Sequence, residues 1–151
     1  MNLQFREALE ADITSLVNML SDDELGAGRE DGSLPVNQNY IKAFHSIQQD
    51  PNNELILVES NAEVVGMMQL TFIPYLSHIG SWRCLIESVR IHFSHRGRGL
   101  GSEFFEWAIE RAKSKSCSIV QLTSDKQRPG ALRFYESLGF KATHEGFKLK
   151  I

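Results

Sequence analysis

Cysteine and proline are scarce in this 151-residue chain, with two of the first and four of the second. Cys84 and Cys117 are too few for a disulfide framework or a cysteine-rich metal site, so the chain reads as a protein of the reducing cytoplasm. No apolar run approaches the ~20 residues of a membrane span. The opening stretch MNLQFREALEADIT carries acidic residues where a secretory leader needs an apolar segment. A strong charge of either sign is also missing. The formal net charge is -3 and the pI about 5.9, which argues against a nucleic-acid surface. What is present is ordinary: 42% hydrophobic and 23% charged residues, the balance of one globular domain spanning residues 1–151.

The modest net charge hides an uneven distribution. Residues 1–50 hold nine acidic side chains against Arg6, Arg29 and Lys42, which leaves residues 51–151 net positive. An acidic front and a basic rear suit a protein that holds an anionic cofactor and receives a cationic substrate.

Hydrophobic spacing gives the elements. Leu3 and Phe5 alternate as a short strand. Asp12 stands at a helix N-cap position, followed by Ile13, Leu16, Val17 and Leu20 at helical spacing over residues 12–20. Residues 21–37 carry three glycines, a proline and five acidic residues and read as a loop, long enough to be functional. Tyr40, Phe44 and Ile47 continue as a second helix, ended by Asp50-Pro51. Residues 54–59 and 64–72 predict a hairpin around Ser60-Asn61-Ala62-Glu63. Residues 82–93 predict another strand, 99–115 an amphipathic helix with Phe104, Phe105 and Trp107 in its core stripe, and 118–124 a strand. Pro129 suits the first turn of a helix through Leu132, Tyr135 and Leu138 to a capping Gly139. Residues 140–143 and 147–151 predict a closing hairpin around Glu145-Gly146.

The most informative segment runs from Val89 to Gly101, VRIHFSHRGRGLG. A strand enters three alternate glycines and then an amphipathic helix. Glycines there permit a tight turn and expose successive N–H groups beside a helix N-terminus, which together favour an anion such as phosphate. Arg96 and Arg98 add charge at the rim. The spacing G-x-G-x-G is neither the dinucleotide fingerprint nor a P-loop.

Arg96-Gly97-Arg98-Gly99-Leu100-Gly101 resembles the R/Q-x-x-G-x-G/A signature of the GNAT superfamily of N-acetyltransferases. Arg133 to Phe140, RFYESLGF, resembles its second segment, L/F-Y-x-x-x-G-F. The order of elements is similar over nearly the whole chain. The resemblance implies an α/β acyl-CoA N-acyltransferase-like fold: a mixed, mostly antiparallel central sheet with a splayed strand pair and flanking helices. It implies acetyl-CoA as cosubstrate, no metal, and direct transfer to an amine. It also implies that backbone N–H groups of Arg96, Gly97, Arg98, Gly99, Leu100, Gly101 and Ser102 hold the pyrophosphate, and that Val89, Arg90 and Ile91 pair with the pantetheine amides. One departure stands out. Where the family often has N-x-x-A before the tyrosine helix, this chain has Arg128-Pro129-Gly130-Ala131, and a phosphate contact from Arg128 stays open.

A lysine-like amine has a pKa near 10.4, so freeing it at pH 7 costs roughly 4–5 kcal/mol and needs a base. Glu87 is the candidate. Alternation places it with Leu85, Val89 and Ile91 on an otherwise apolar face, where a carboxylate is either poorly solvated and therefore basic, or partnered by Arg83 or Arg90. It acts directly or through ordered water. Tyr135 is the candidate partner of the leaving sulfur, by a hydrogen bond to the developing thiolate, with core packing as the alternative role. A backbone N–H near Val89 or Ile91 would meet the oxyanion. His92 and His95 lack a third ligand nearby in sequence. Cys84 and Cys117 read as buried small hydrophobes. Tyr75 and Trp82 border a loop and either line the acceptor pocket or pack.

The expected activity is acetylation of a small-molecule primary amine, with neither nucleic acid nor membrane as partner and with a homodimer compatible. Two alternatives stay open: a non-catalytic acyl-CoA-binding sensor or partner-binding module of the same fold, and a peptide or protein N-acetyltransferase. Acceptor choice would reside in residues 21–37 and 73–82.

Overall fold

Alternating side chains along Leu3–Glu7 (β1), Asn53–Ser60 (β2), Glu63–Pro74 (β3) and Trp82–Ile91 (β4) build one antiparallel sheet, joined at its far side by Cys117–Leu122 (β5), in the order β1-β2-β3-β4-β5. The computed structural model describes residues 2–128 and 130–151. It divides into two compact units, Met1–Gln121 and Leu122–Ile151. The architecture is the mixed α/β fold expected, a mostly antiparallel sheet flanked by helices.

In the first unit, Asn61 and Ala62 close the β2–β3 hairpin with φ of 51° and 65°, the left-handed pair that matches strand twist. Leu100–Ser114 (α5) covers one face of the sheet. Its Phe104, Phe105, Ala108 and Ala112 are buried, as are Ile56, Met68, Leu70, Phe72, Cys84 and Ile86 of the strands. Phe5 stacks on Trp107 with ring centroids 5.2 Å apart and tilts against Phe104 at 5.6 Å. Each such side chain contributes about 1.5–3 kcal/mol through burial. Glu54, buried on this face, is met by Arg111 of α5, whose Nε lies 3.1 Å from both carboxylate oxygens. Ile13–Ser21 (α1) and Gln38–Gln49 (α3) supply the other face, where Ile13, Leu16, Val17, Met19 and Phe44 pack in one cluster with Leu57 and Met67.

Some local expectations change. Asp12 does not cap α1. Its carboxylate accepts from Leu9 N at 2.7 Å, closing a 3-10 turn over Glu10–Asp12, and from Arg6 at 2.8 and 3.0 Å. The segment read as a loop contains a short helix, Glu24–Ala27 (α2), capped by Asp23, which accepts from Gly26 N at 2.5 Å. Gly26 is needed there because a Cβ would lie 1.9 Å from Leu20 O. Between β3 and β4 lies a single turn, Ser77–Gly80 (α4), with left-handed His78 and Ile79.

The second unit contains Ala131–Ser137 (α6), which ends as expected. Gly139 has φ 96° and donates to Glu136 O, while Phe140 N donates to Tyr135 O, so two orphan carbonyls are satisfied. Pro129 lies outside the described residues. The closing hairpin is not formed: residues 140–151 have no strand, and Phe147, Leu149 and Ile151 are 93%, 88% and 117% exposed. An isolated two-stranded hairpin with its apolar face in water is marginal, which accounts for the difference.

Candidate active site

The candidate residues of the first unit lie on one continuous path: β4, a 3-10 turn over Phe93–His95, a glycine turn, and α5. The path starts with an irregularity. From Met67 to Gln69, β3 advances two residues while β4 advances three, from Glu87 to Arg90. Ser88 and Val89 therefore face Met68 together, a β-bulge, and Ser88 takes φ 55°. A non-glycine residue held there stores roughly 1–3 kcal/mol of strain, the kind found at functional sites.

The bulge overturns the parity read from sequence. Met67 opposes Arg90 and Gln69 opposes Glu87, so Glu87 shares its face with Arg83, Leu85 and Arg90, and Ile91 turns to the opposite face. That face is also more polar than expected: Gln69, opposite Glu87, and Thr71 both donate to Asn53 Oδ1, at 3.3 and 2.7 Å. Glu87 is exposed. The Arg90 side chain leaves the strand toward α2, with Nε 3.6 Å from Asp23 and Nη1 donating to Val89 O at 2.8 Å. Strand β5 meets the other end of β4, where Arg83 donates to Gln121 at 2.8 Å and Ser118 Oγ to Trp82 O at 3.4 Å.

Beyond Ile91 the chain is prepared for an anion. His92 caps the 3-10 turn, and its Nδ1 lies 2.7 Å from Ser94 Oγ, which in turn lies 2.8 Å from His95 Nδ1. Among the described residues no group of three metal-ligating side chains forms. Arg96 Nε returns to Ile91 O at 3.0 Å, and its guanidinium reaches Asp22 at 3.4 Å. Gly97 and Gly99 then adopt φ of 74° and 80°, and α5 starts at Leu100 with no side-chain cap. A Cβ at Gly99 would meet nothing within 4 Å, so the backbone angle, and not crowding, requires glycine. Leu100, Gly101 and Ser102 stand ahead of the first bond of the α5 ladder, which Glu103 N makes to Gly99 O at 3.3 Å, so their N–H groups are the orphan donors of a helix start. Orphan donors at the N-terminus of a 15-residue helix, beside Arg96 and Arg98, fit a pyrophosphate.

Cys84 is fully buried, and burial pushes its thiol up to about 12, followed by the influence of Cys117 and Glu54. Burial also raises the Cys117 thiol. Neither suits a covalent acyl carrier. The sequence reading missed the bulge itself and the tie of Arg90 to Asp23. The first has no glycine to announce it, and the second joins residues far apart in sequence.

In the second unit, Tyr135 is half-buried on α6, its ring tilted against Phe134 at 5.4 Å and Phe140 at 6.1 Å. In the same unit, Arg128 donates its backbone N–H to Asp125 O.

Known proteins resemble this chain. The chain is 34% identical over 110 residues, 73% of its length and 71% of the other's, to an aminoalkylphosphonate N-acetyltransferase of Salmonella typhimurium. It is 32% identical over 93 residues, 62% and 61% of the two lengths, to a glucosamine 6-phosphate N-acetyltransferase of Trypanosoma brucei brucei. A crystal structure of a transcriptional regulator from Bacillus halodurans C-125 superposes with a TM-score of 0.96 at 53% identity, over 99% of this chain and 100% of that one. The model of the acetyltransferase (GNAT) family matches residues 14–140, across the bulged strand, the glycine turn and the tyrosine helix, and the chain belongs to that family.

Proposed function

We propose that this protein transfers an acetyl group from acetyl-CoA directly to the primary amine of a small molecule. The observation that carries the reading is the start of α5, where the orphan N–H groups of Leu100 to Ser102 follow two left-handed glycines. Acetyl-CoA supplies the acyl group as a thioester. The chain's part is to hold its pyrophosphate on Arg96 to Ser102, and to offer the bulged backbone of Val89, Arg90 and Ile91 to the pantetheine amides. The displaced N–H beside Val89 serves as the donor to negative charge developing on the carbonyl oxygen. Glu87 takes the amine proton. Its exposure favours a relay through water over a desolvated carboxylate acting by itself. Tyr135 donates a hydrogen bond to the departing sulfur.

The two named relatives act, by their names, on an aminoalkylphosphonate and on glucosamine 6-phosphate. Both support a small amine over a peptide. The unpaired cysteines fit a reducing compartment. Among the described residues no helix is long and apolar enough to cross a membrane. The homodimer is supported by residues 140–151. Phe147, Leu149 and Ile151 alternate and are all exposed, and burying them from two copies would remove on the order of 1,000 Å², near the lower bound of a specific interface.

A second reading, an acyl-CoA-binding regulatory module without turnover, is favoured by the likeness to the Bacillus halodurans regulator. Release of free thiol from acetyl-CoA on adding small primary amines separates the two. Turnover supports the transferase; tight cofactor binding without turnover supports the module.

A further inference from the structure

Four arginines of the first unit are half-buried: Arg6, Arg83, Arg90 and Arg111. Three face a carboxylate: Arg6 meets Asp12 and Glu59, Arg90 meets Asp23, and Arg111 meets Glu54. Arg83 meets none among the described residues. Its guanidinium lies over the Tyr75 ring, with Cζ 3.6 Å from the centroid, and Nη1 donates to Gln121 Oε1 at 2.8 Å. Its Nε is buried without an acceptor, and so is the hydroxyl of Tyr75. Folded proteins leave few such groups, and each calls for an explanation. A guanidinium held by ring stacking and a neutral amide, with its charge unanswered, is a prepared receptor for an oxyanion.

Its place on the strand says which oxyanion. Arg83, Leu85 and Glu87 occupy alternate positions before the bulge and so lie on one face of β4. Their order is cation, half-buried apolar side chain, carboxylate. The Cα atoms of Arg83 and Glu87 are about 13 Å apart by strand rise, a gap that two long side chains and a short substrate can fill. The pattern is the complement of a zwitterion: an ammonium group toward Glu87, a few methylenes over Leu85, and an anionic group toward Arg83. We propose that Arg83, set by Tyr75, is the anion-binding end of the acceptor site, and that the acceptor is a short primary amine ending in a phosphonate, phosphate or carboxylate. This rests on the transferase reading above, and names the substrate class for that same site. Arg83 binds and selects; it takes no part in proton transfer.

The test compares 3-aminopropylphosphonate, 4-aminobutyrate and n-propylamine as acceptors, by thiol release from acetyl-CoA, in the wild type and in Arg83→Met. Wild-type kcat/KM should favour at least one of the two anionic amines over propylamine tenfold or more, and the better of the two identifies the anion. In Arg83→Met the ratio of that anionic amine to propylamine should fall at least tenfold, chiefly through KM of the anionic amine, and Arg83→Lys should restore part of it. A ratio unchanged within twofold overturns the proposal, as does a wild type that prefers propylamine. Should Arg83→Met not fold, Tyr75→Phe decides: it keeps the stacking ring, and its ratio should fall threefold or more. An unchanged ratio there likewise overturns the assignment. Absence of turnover with all three amines, despite bound acetyl-CoA, refutes the transferase reading itself and this inference with it.

Discussion

Replacing Gly99 by valine tests the anion site through its backbone. Gly99 sits at φ 80°, ψ 1°, immediately before α5, whose first N–H groups are its orphan donors. A β-branched residue in that conformation is strained by roughly 1–3 kcal/mol. Open space around the would-be Cβ means that nothing holds the strained turn in place, so the chain can relax by rotating φ out of the left-handed region. That rotation swings the N–H groups of Gly99 and Leu100 off a common focus. Losing one or two hydrogen bonds to a charged group costs about 1.5–3 kcal/mol each. Acetyl-CoA should therefore bind at least tenfold more weakly, about 1.4 kcal/mol, by titration calorimetry. Thermal stability should change little, because the strain is relieved within an exposed turn. Gly28→Ala is the control: its Cβ would have only ordinary contact with Leu25 O, and affinity should not move. Unchanged affinity in a folded Gly99→Val protein would refute the assignment of this turn to the pyrophosphate.

Glu87→Gln should slow turnover most near neutral pH and recover partly toward pH 10, where the amine frees itself; a pH–rate profile parallel to wild type would make Glu87 structural. Tyr135→Phe keeps the ring and removes the donor, so turnover should fall roughly 10- to 150-fold with little change in acetyl-CoA affinity. Wild-type turnover in that variant would reduce Tyr135 to packing. The bond from Arg6, the largest influence, holds the Asp12 carboxyl below its usual range, so the folded state binds that proton less readily than the unfolded chain. The stability it contributes is complete above the ordinary pKa near 4 and is lost as pH falls through the lower folded value, and Asp12→Asn should destabilise by about 1–3 kcal/mol at pH 7 while flattening the acid limb of denaturant-measured stability. Leu149→Lys should shift sedimentation from dimer to monomer; a monomeric wild type would remove the dimer.

How much of this could be read beforehand depended on whether the cause was local. The helix that became α5 was legible because Leu100, Phe104, Phe105, Ala108 and Ala112 repeat at its period, and all are buried. Gly139 was legible because one residue type dominates that cap. The glycine turn was legible for the same reason, and it pointed to the candidate site. The bulge at Ser88 was not, because a serine in the left-handed region is imposed by pairing with β3, so Glu87 was wrongly grouped with Ile91, while its place beside Leu85 was right. Asp12 looked like a cap because its local sequence allows one, but Arg6 and Leu9 N compete for the same carboxylate. The closing hairpin was read from two short segments around Glu145-Gly146, and such local cues do not say what a strand pairs with. The role proposed for Arg83 was invisible, since an arginine between Trp82 and Cys84 gains meaning only when no carboxylate meets it.

The most direct test of the central claim is thiol release from acetyl-CoA by the purified protein, followed while a panel of small primary amines is added. Thiol should appear in proportion to amine consumed, with the acetylated amine as coproduct by mass spectrometry. Saturable acetyl-CoA binding with no thiol released by any amine would contradict the claim.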